Sequence, residues 1–367
     1  MPIKTQKSLD ELVNLLESRK LKMDKAKVRS TLSQINYFQL INGFETLLLP
    51  DKKNKHFSSE SFDDFYRLYK FDIEFSETVF SIISHFEMHL KTSVTVHFTA
   101  AYCSNLNDTM QYTNKHNYRD ISQDNTYMFR KWQNKKICTD FNTFTFFNTR
   151  KRTDSRSNYL NELIWKQHTI DSTFYHNSNY TAPSNVAVYD PGAAILPVAV
   201  PLWVSIQHID FGALKRLCHY LKPSEIEPVL HEFGLTLDDR NIFLNMLDII
   251  NELRNGCAHL SLINRFRTPS TLKINKQLVS KFSLHPKKRG SQICPASELK
   301  LFDSLKILQY FEDLDRLKKP LQRIIYKNNR YFKKRTYDLN SRLLTRMGEE
   351  SLKEWKILFK KSQKKYR

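Results

Sequence analysis

Apolar positions recur at three- and four-residue intervals in several blocks along this chain, separated by stretches where the pattern lapses. Leu9, Leu12, Leu15 and Leu16 mark one face over residues 8–20, and Ser8 with Glu11 fits a capping box, which predicts a short helix. Residues 27–49 carry a second helical region through Ile35, Tyr37, Phe38, Leu40 and Phe44, broken near Gly43 and ended by Pro50. Ser61 and Asp64 cap the longest helix, which carries Phe62, Phe65, Leu68, Phe71, Phe75, Val79, Ile82, Ile83, Phe86 and Leu90 to about Tyr102. A break between Tyr69 and Glu74 also fits that pattern. The pattern returns in helices over about 202–208, 211–221 and 224–233, the last stopped by Gly234. A fourth begins at Asp238 or Asp239 and carries Ile242, Phe243, Met246, Leu247, Ile250 and Leu253 as its stripe. Further amphipathic helices are expected around 297–329, 336–346 and 349–361.

Residues 104–195 are different: Asn, Thr, Ser, Tyr and Asp dominate and no period holds. Pro183, Pro191, Gly192, Pro197 and Pro201 make 180–201 an irregular connector. These patterns predict an all-α protein. Residues 1–60 form an N-terminal helical extension, 61–103 and 200–267 the core, 104–199 an irregular insertion or lid, and 268–367 a basic C-terminal helical arm. Only seven glycines occur in 367 residues, too few for a turn-rich β fold or a nucleotide-binding α/β fold.

Charge changes the picture. The net charge is +20, and residues 268–367 hold 26 Lys and Arg against nine Asp and Glu, so +17 of it sits in that segment. A field of one sign on this scale attracts polyanions and releases their counterions, which makes nucleic acid the first candidate partner. An anionic membrane surface and simple solubility are the plain alternatives. Arg265, Arg267, Lys287, Lys288, Arg289, Arg330, Lys333, Lys334 and Arg335, with tyrosines interleaved, are the candidate RNA-binding residues. No stretch is apolar enough to span a bilayer, and Met1 to Lys7 lacks a signal-peptide core. The five scattered cysteines have no paired spacing and read as reduced thiols of a cytoplasmic protein, without disulfides or zinc.

Candidate chemistry concentrates in Leu253-Arg254-Asn255-Gly256-Cys257-Ala258-His259, at the end of the fourth helix. The plain structural account of Arg254 and His259 is a pair of cations placed favourably against the helix dipole. Asn255 and His259 are one turn apart on one face, whereas Arg254 lies about 140° round the helix from His259. One regular helix would not aim both at a single phosphate; either the helix is distorted, at Gly256, or a second helix contributes. His85, Glu87 and His89 lack the HExxH order, so no metal site is expected there.

The segment Arg254-Asn255 followed by His259 resembles the Arg-Asn-x-x-x-His signature of HEPN-superfamily ribonucleases. The rest of the chain resembles the bacterial Abi-like family of AbiD/AbiF type. The residues that carry this likeness are Ile35-Asn36-Tyr37-Phe38-Gln39-Leu40 with Gly43, Phe62 to His97 with Phe86-Glu87, Trp203, Phe211-Gly212, Phe233-Gly234-Leu235 and the motif itself. The likeness covers roughly residues 8–103 and 200–267. Lys91 stands where family members often carry arginine. The resemblance implies a HEPN-like helical bundle, a homodimer, an antiphage role through abortive infection, and metal-independent RNA cleavage needing no cofactor. His259 would act as acid and base, Arg254 would steady the charged transition state, and Asn255 would position them. The expected products carry 2′,3′-cyclic phosphate and 5′-hydroxyl ends. Two other functions fit the same sequence: a dimer holding a structured noncoding RNA with catalysis silent or conditional, and a protein-interaction sensor or toxin partner.

Overall fold

A computed structural model describes residues 6–50, 55–104, 111–113, 117–119, 202–286, 288–289, 292–293, 298–331 and 337–360. The described chain is mostly α-helical, as the pattern predicts, with one antiparallel pair of two-residue strands, β1 (Lys288–Arg289) and β2 (Gln292–Ile293). The chain folds as two compact units: Met1–Ile83, Glu252–Pro269 and Glu298–Ser362 form the first, and Ser84–Asn251, Ser270–Ser297 and Gln363–Arg367 the second.

The first unit begins with α1 (Leu9–Ser18), whose Ser8/Glu11 capping box is present, and α2 (Lys25–Leu32), capped by Asp24. The chain then makes a π-helical turn, Phe38–Asn42, and a short α3 (Glu45–Leu48), with the break at Gly43. Helix α4 (Phe62–Tyr102) runs 41 residues without interruption and changes unit after Ile83. Its start is capped by Asp64, which accepts hydrogen bonds from the backbone and hydroxyl of Ser61. The alternative break at Tyr69–Glu74 does not occur. No Gly or Pro interrupts α4, and Phe71, Phe75 and Val79 continue the buried stripe. The polar residue that disturbs the stripe, Asp72, is itself buried and used.

The C-terminal helices of this unit are α10 (Leu301–Phe311), α11 (Lys318–Tyr331), α12 (Leu339–Met347) and α13 (Leu352–Leu358). The single helix expected over 297–329 is two helices. Glu312 takes an extended conformation and Asp315–Leu317 forms a 3-10 turn, so buried Phe311, Leu314 and Leu317 face the core at a corner. These helices pack within the first unit. Trp355 is fully buried against Phe302 with ring centroids 4.8 Å apart, and the Tyr337 hydroxyl donates to the Leu48 carbonyl at 2.7 Å.

In the second unit, α5 (Leu202–Ser205) leads through a 3-10 turn to α6 (Phe211–Tyr220), which Asp210 caps. Then come α7 (Pro223–Glu232), with proline at its first position, α8 (Arg240–Ala258) and α9 (Lys276–Phe282). The core packs Phe86 against Phe211 and edge-on to Phe233, and stacks Phe233 on Phe243, at centroid separations of 5.8–6.1 Å. Short pieces of the expected insertion are described; Tyr118 is buried, stacks on Phe98 at 5.2 Å and donates to the Tyr112 carbonyl. The remainder of the insertion and the connector 180–201 lie outside the described residues. Helix α8 changes unit after Asn251, which leaves its last residues, and the motif, in the first unit.

Candidate active site

The motif closes α8. At 100° per residue, Glu252, Asn255, Gly256 and His259 fall within about 60° of one direction. These four residues line one side of a cavity of about 620 Å³ in the first unit, with Phe38, Gln39, Ser261, Arg265 and Arg267 also in its wall. Arg254 points elsewhere. Its guanidinium carbon lies 5.5 Å from the centre of the Phe80 ring, a cation–π arrangement. Its Nε is buried and has no hydrogen-bond partner among the described residues. One chain therefore brings Asn255 and His259 together and leaves Arg254 outside their cavity, the separation that 140° of helical rotation dictates. Gly256 introduces no distortion: α8 stays helical through Ala258, and a Cβ at Gly256 would meet Phe266 at an ordinary 3.4 Å.

A Schellman arrangement ends the helix. Ser261 donates its backbone N–H to Gly256 at 2.9 Å, and Leu260 donates to Cys257 at 3.1 Å. This places Leu260 at φ 51°, a left-handed conformation usually left to glycine, and turns its side chain outward, 54% exposed. His259, held by its own N–H to the Asn255 carbonyl at 3.0 Å, is exposed at the helix end.

The loop that follows is clamped from beneath. Asp72 accepts from the backbone N–H groups of Ile263 (2.9 Å) and Asn264 (2.8 Å) and from the Asn264 amide (2.6 Å). Burial pushes its carboxyl up to about 6, against the opposing pull of those donors and of nearby Arg346. Arg346 in turn donates to the Gly43 carbonyl at 3.0 Å and to the Thr46 hydroxyl, and burial lowers it to about 10.

The two arginines of the cavity are oriented by carbonyls. Arg265 donates to the Asn42 carbonyl at 2.6 Å, and Arg267 to the Phe266 and Arg346 carbonyls at 2.6 and 3.0 Å. Neither forms an ion pair with a carboxylate among the described residues, although the charge of Glu298 acts on Arg267, which burial lowers. Cys257, within the motif, is buried and its thiol is pushed up to about 11, which removes it as a nucleophile at neutral pH.

The family model of the Abi-like proteins matches residues 30–264, a span that holds the π-helical turn, α4, α8 and the motif. The chain belongs to the Abi-like protein family. Membership points to abortive-infection defence. Comparison with curated proteins and with solved structures returned no match.

The other candidate residues of this Abi-like protein are distributed unevenly. Arg330 lies over the Tyr331 ring at 5.5 Å, and Arg67 over the same ring at 5.4 Å. Lys287, Lys333, Lys334 and Arg335 lie outside the described residues; Lys288 and Arg289 are described only as strand β1. Glu87, one of the group at 85–89, is paired with Lys91 at 2.9 Å, while His89 packs on Phe233 at 4.8 Å. No helix among the described residues is long and apolar enough to cross a membrane.

Sequence reasoning missed Glu252, Phe38 and Gln39. Glu252 was detectable, since 252, 255, 256 and 259 are the i, i+3, i+4, i+7 positions of one helical face. Phe38 and Gln39 were not, because they reach the motif only through the fold.

Proposed function

We propose that this Abi-like protein is a metal-independent endoribonuclease of the HEPN type, acting as a homodimer in abortive-infection defence. What carries the reading is His259. It is an exposed imidazole at the edge of a cavity that also holds Asn255, Arg265 and Arg267. An imidazole titrates near neutrality and can both take and give a proton. In the cleavage, His259 takes the proton of the ribose 2′-hydroxyl as the 2′-oxygen bonds to phosphorus. The bond from phosphorus to the 5′-oxygen breaks, and a second imidazole protonates that oxygen. Arg254 supplies fixed positive charge to the phosphorane-like transition state, and Asn255 orients the imidazole. Because Arg254 lies outside the cavity of its own chain, it would come from the other copy of a two-fold pair, and so would the second imidazole.

The test is cleavage of single-stranded RNA in EDTA, with analysis of the ends. Wild type should give 2′,3′-cyclic phosphate and 5′-hydroxyl ends, and His259→Ala or Arg254→Ala should abolish them while the circular dichroism spectrum is retained. Unchanged cutting by either variant would remove that residue from the mechanism.

One observation favours a second reading, an RNA-holding dimer that does not cut. Helix α11, Lys318–Tyr331, carries five basic residues and no acidic one, and it exposes Tyr326 and Tyr331 by 64% and 56%. Such a face suits a phosphate backbone and stacked bases. Co-purification with one defined RNA, and no cutting after that RNA is stripped, would decide for it.

A further inference from the structure

We propose that Phe38 is a base-stacking platform beside His259, and that the nucleic acid accepted there is single-stranded RNA with an unstacked base. The inference rests on the reading of the His259 cavity as an RNA site.

Phe38 opens the π-helical turn Phe38–Asn42, in which Leu40 and Ile41 are fully buried. Phe38 itself is 63% exposed, although the packed interior of this unit takes in most of its large aromatic side chains. The ring belongs to the wall of the same cavity as His259, Arg265 and Arg267. Covering such water-facing aromatic surface with a ligand is favourable.

The turn is fastened to the motif loop at several points, so the backbone that carries Phe38 is held beside the motif. The Gln39 side-chain amide donates to the Leu260 carbonyl at 3.3 Å, and Arg265 donates to the Asn42 carbonyl. Gly43 sits so close to Leu262 that an added Cβ would lie 2.4 Å from its Cδ1, and 2.1 Å from the Gln39 carbonyl oxygen. The Asn36 side chain accepts the Phe38 backbone N–H at 2.8 Å, which sets the entry to the turn. A π-helical turn is uncommon and tends to mark functional positions.

The chemistry around the ring selects the occupant. A flat apolar face stacks any nucleobase, the two arginines suit the flanking phosphates, and Gln39, Asn255 and Glu252 offer hydrogen-bonding groups to a base edge. A base inside a duplex has both faces covered and cannot use the ring, so the site discriminates for single strands.

The experiment is fluorescence anisotropy of a labelled 2′-O-methyl decaadenylate, which lacks the nucleophilic hydroxyl and so stays intact, binding to the full-length protein in EDTA. Phe38→Ala and Phe38→Leu should weaken binding roughly 5- to 150-fold, the range expected for loss of one stacked base. Phe38→Trp should bind as tightly as wild type or tighter, and pairing the probe with its complement should weaken wild type by a similar factor. Wild-type affinity in Phe38→Leu would overturn the proposal, because apolar packing alone would then suffice. A Phe38→Ala variant that changes sedimentation coefficient but not affinity would also overturn it, assigning the ring to contact between copies. Binding is read without cleavage, so an inactive enzyme that shows the expected Phe38 series would remove the ribonuclease reading and leave the platform standing.

Discussion

The two ends of helix α8 carry similar polar residues and use them in opposite ways. Toward its start, Ile242 to Asn251 are all buried; Asn245 and Asp248 are engaged internally, while the Asn251 Oδ1 has no hydrogen-bond partner among the described residues. Asn245 donates to the Lys273 carbonyl at 3.1 Å and accepts from the Asn275 backbone at 2.8 Å, while Asp248 pairs with Lys215 at 2.9 Å. Toward its end, Glu252, Asn255 and His259 turn to a cavity, and none of the three side chains makes a hydrogen bond or ion pair with another described residue. A buried polar group without a partner destabilises the fold, so Asn245 and Asp248 are tied to structure. The second set is spared that penalty by its exposure and is free to meet a ligand. Side-chain chemistry alone does not separate Asn245 from Asn255; burial and partners do.

That contrast is sharpest for His259. Its replacement by Ala should lower RNA cleavage by about 10²- to 10⁴-fold, the usual worth of a positioned general acid or base. The melting temperature should stay within about 1 °C, because an exposed side chain away from the core contributes little stability. Cleavage assays beside thermal melts check both halves. At the other end, Asp248→Ala should do the reverse. It strips Lys215 of its buried partner and should destabilise the protein by about 3 kcal/mol, visible in denaturant titration.

The open end also depends on Asp72, which makes its stability pH-dependent. With a carboxyl at about 6 in the fold against an ordinary 3.8, the native state holds this proton more tightly than the unfolded chain. The contribution of Asp72 is therefore fullest below about pH 4 and falls as pH rises to about 6, by up to roughly 3 kcal/mol. Asp72→Asn removes that slope, so the difference in melting temperature between variant and wild type should change between pH 4 and 6.5 and level off above. A constant difference would mean that the carboxyl does not titrate there. The smallest expected effect is at Leu260. Glycine accepts φ 51° without the steric cost that leucine bears, so Leu260→Gly should stabilise by about 1 kcal/mol in a thermal melt. If it also slows cleavage, the outward leucine serves function at the expense of stability.

What the sequence disclosed follows from how local the physics is. Ser8 with Glu11 and Ser61 with Asp64 are bonds between residues three apart, so the starts of α1 and α4 were legible. The parting of Arg254 from His259 was legible too, because helical geometry fixes it. The clamp of Asp72 on Ile263 and Asn264 was not, since it joins positions about 190 residues apart, and in the pattern it registers only as a flaw in the stripe of α4. The same holds for Phe38, whose exposure contradicts its apolar character. The corner at Glu312 escaped notice because the apolar spacing of α10 runs on into Leu314 and Leu317 without a proline or glycine between them.

The most direct test of the division within α8 compares two identical substitutions, Asn245→Ala and Asn255→Ala, by RNA cleavage rate and melting temperature in the same buffer with EDTA. Asn255→Ala should lose cleavage and keep its melting temperature, and Asn245→Ala should melt lower yet cut at the wild-type rate at temperatures where it is folded. An Asn255→Ala protein that cuts like wild type, or loses activity only because it unfolds, would contradict the assignment of the open end to catalysis.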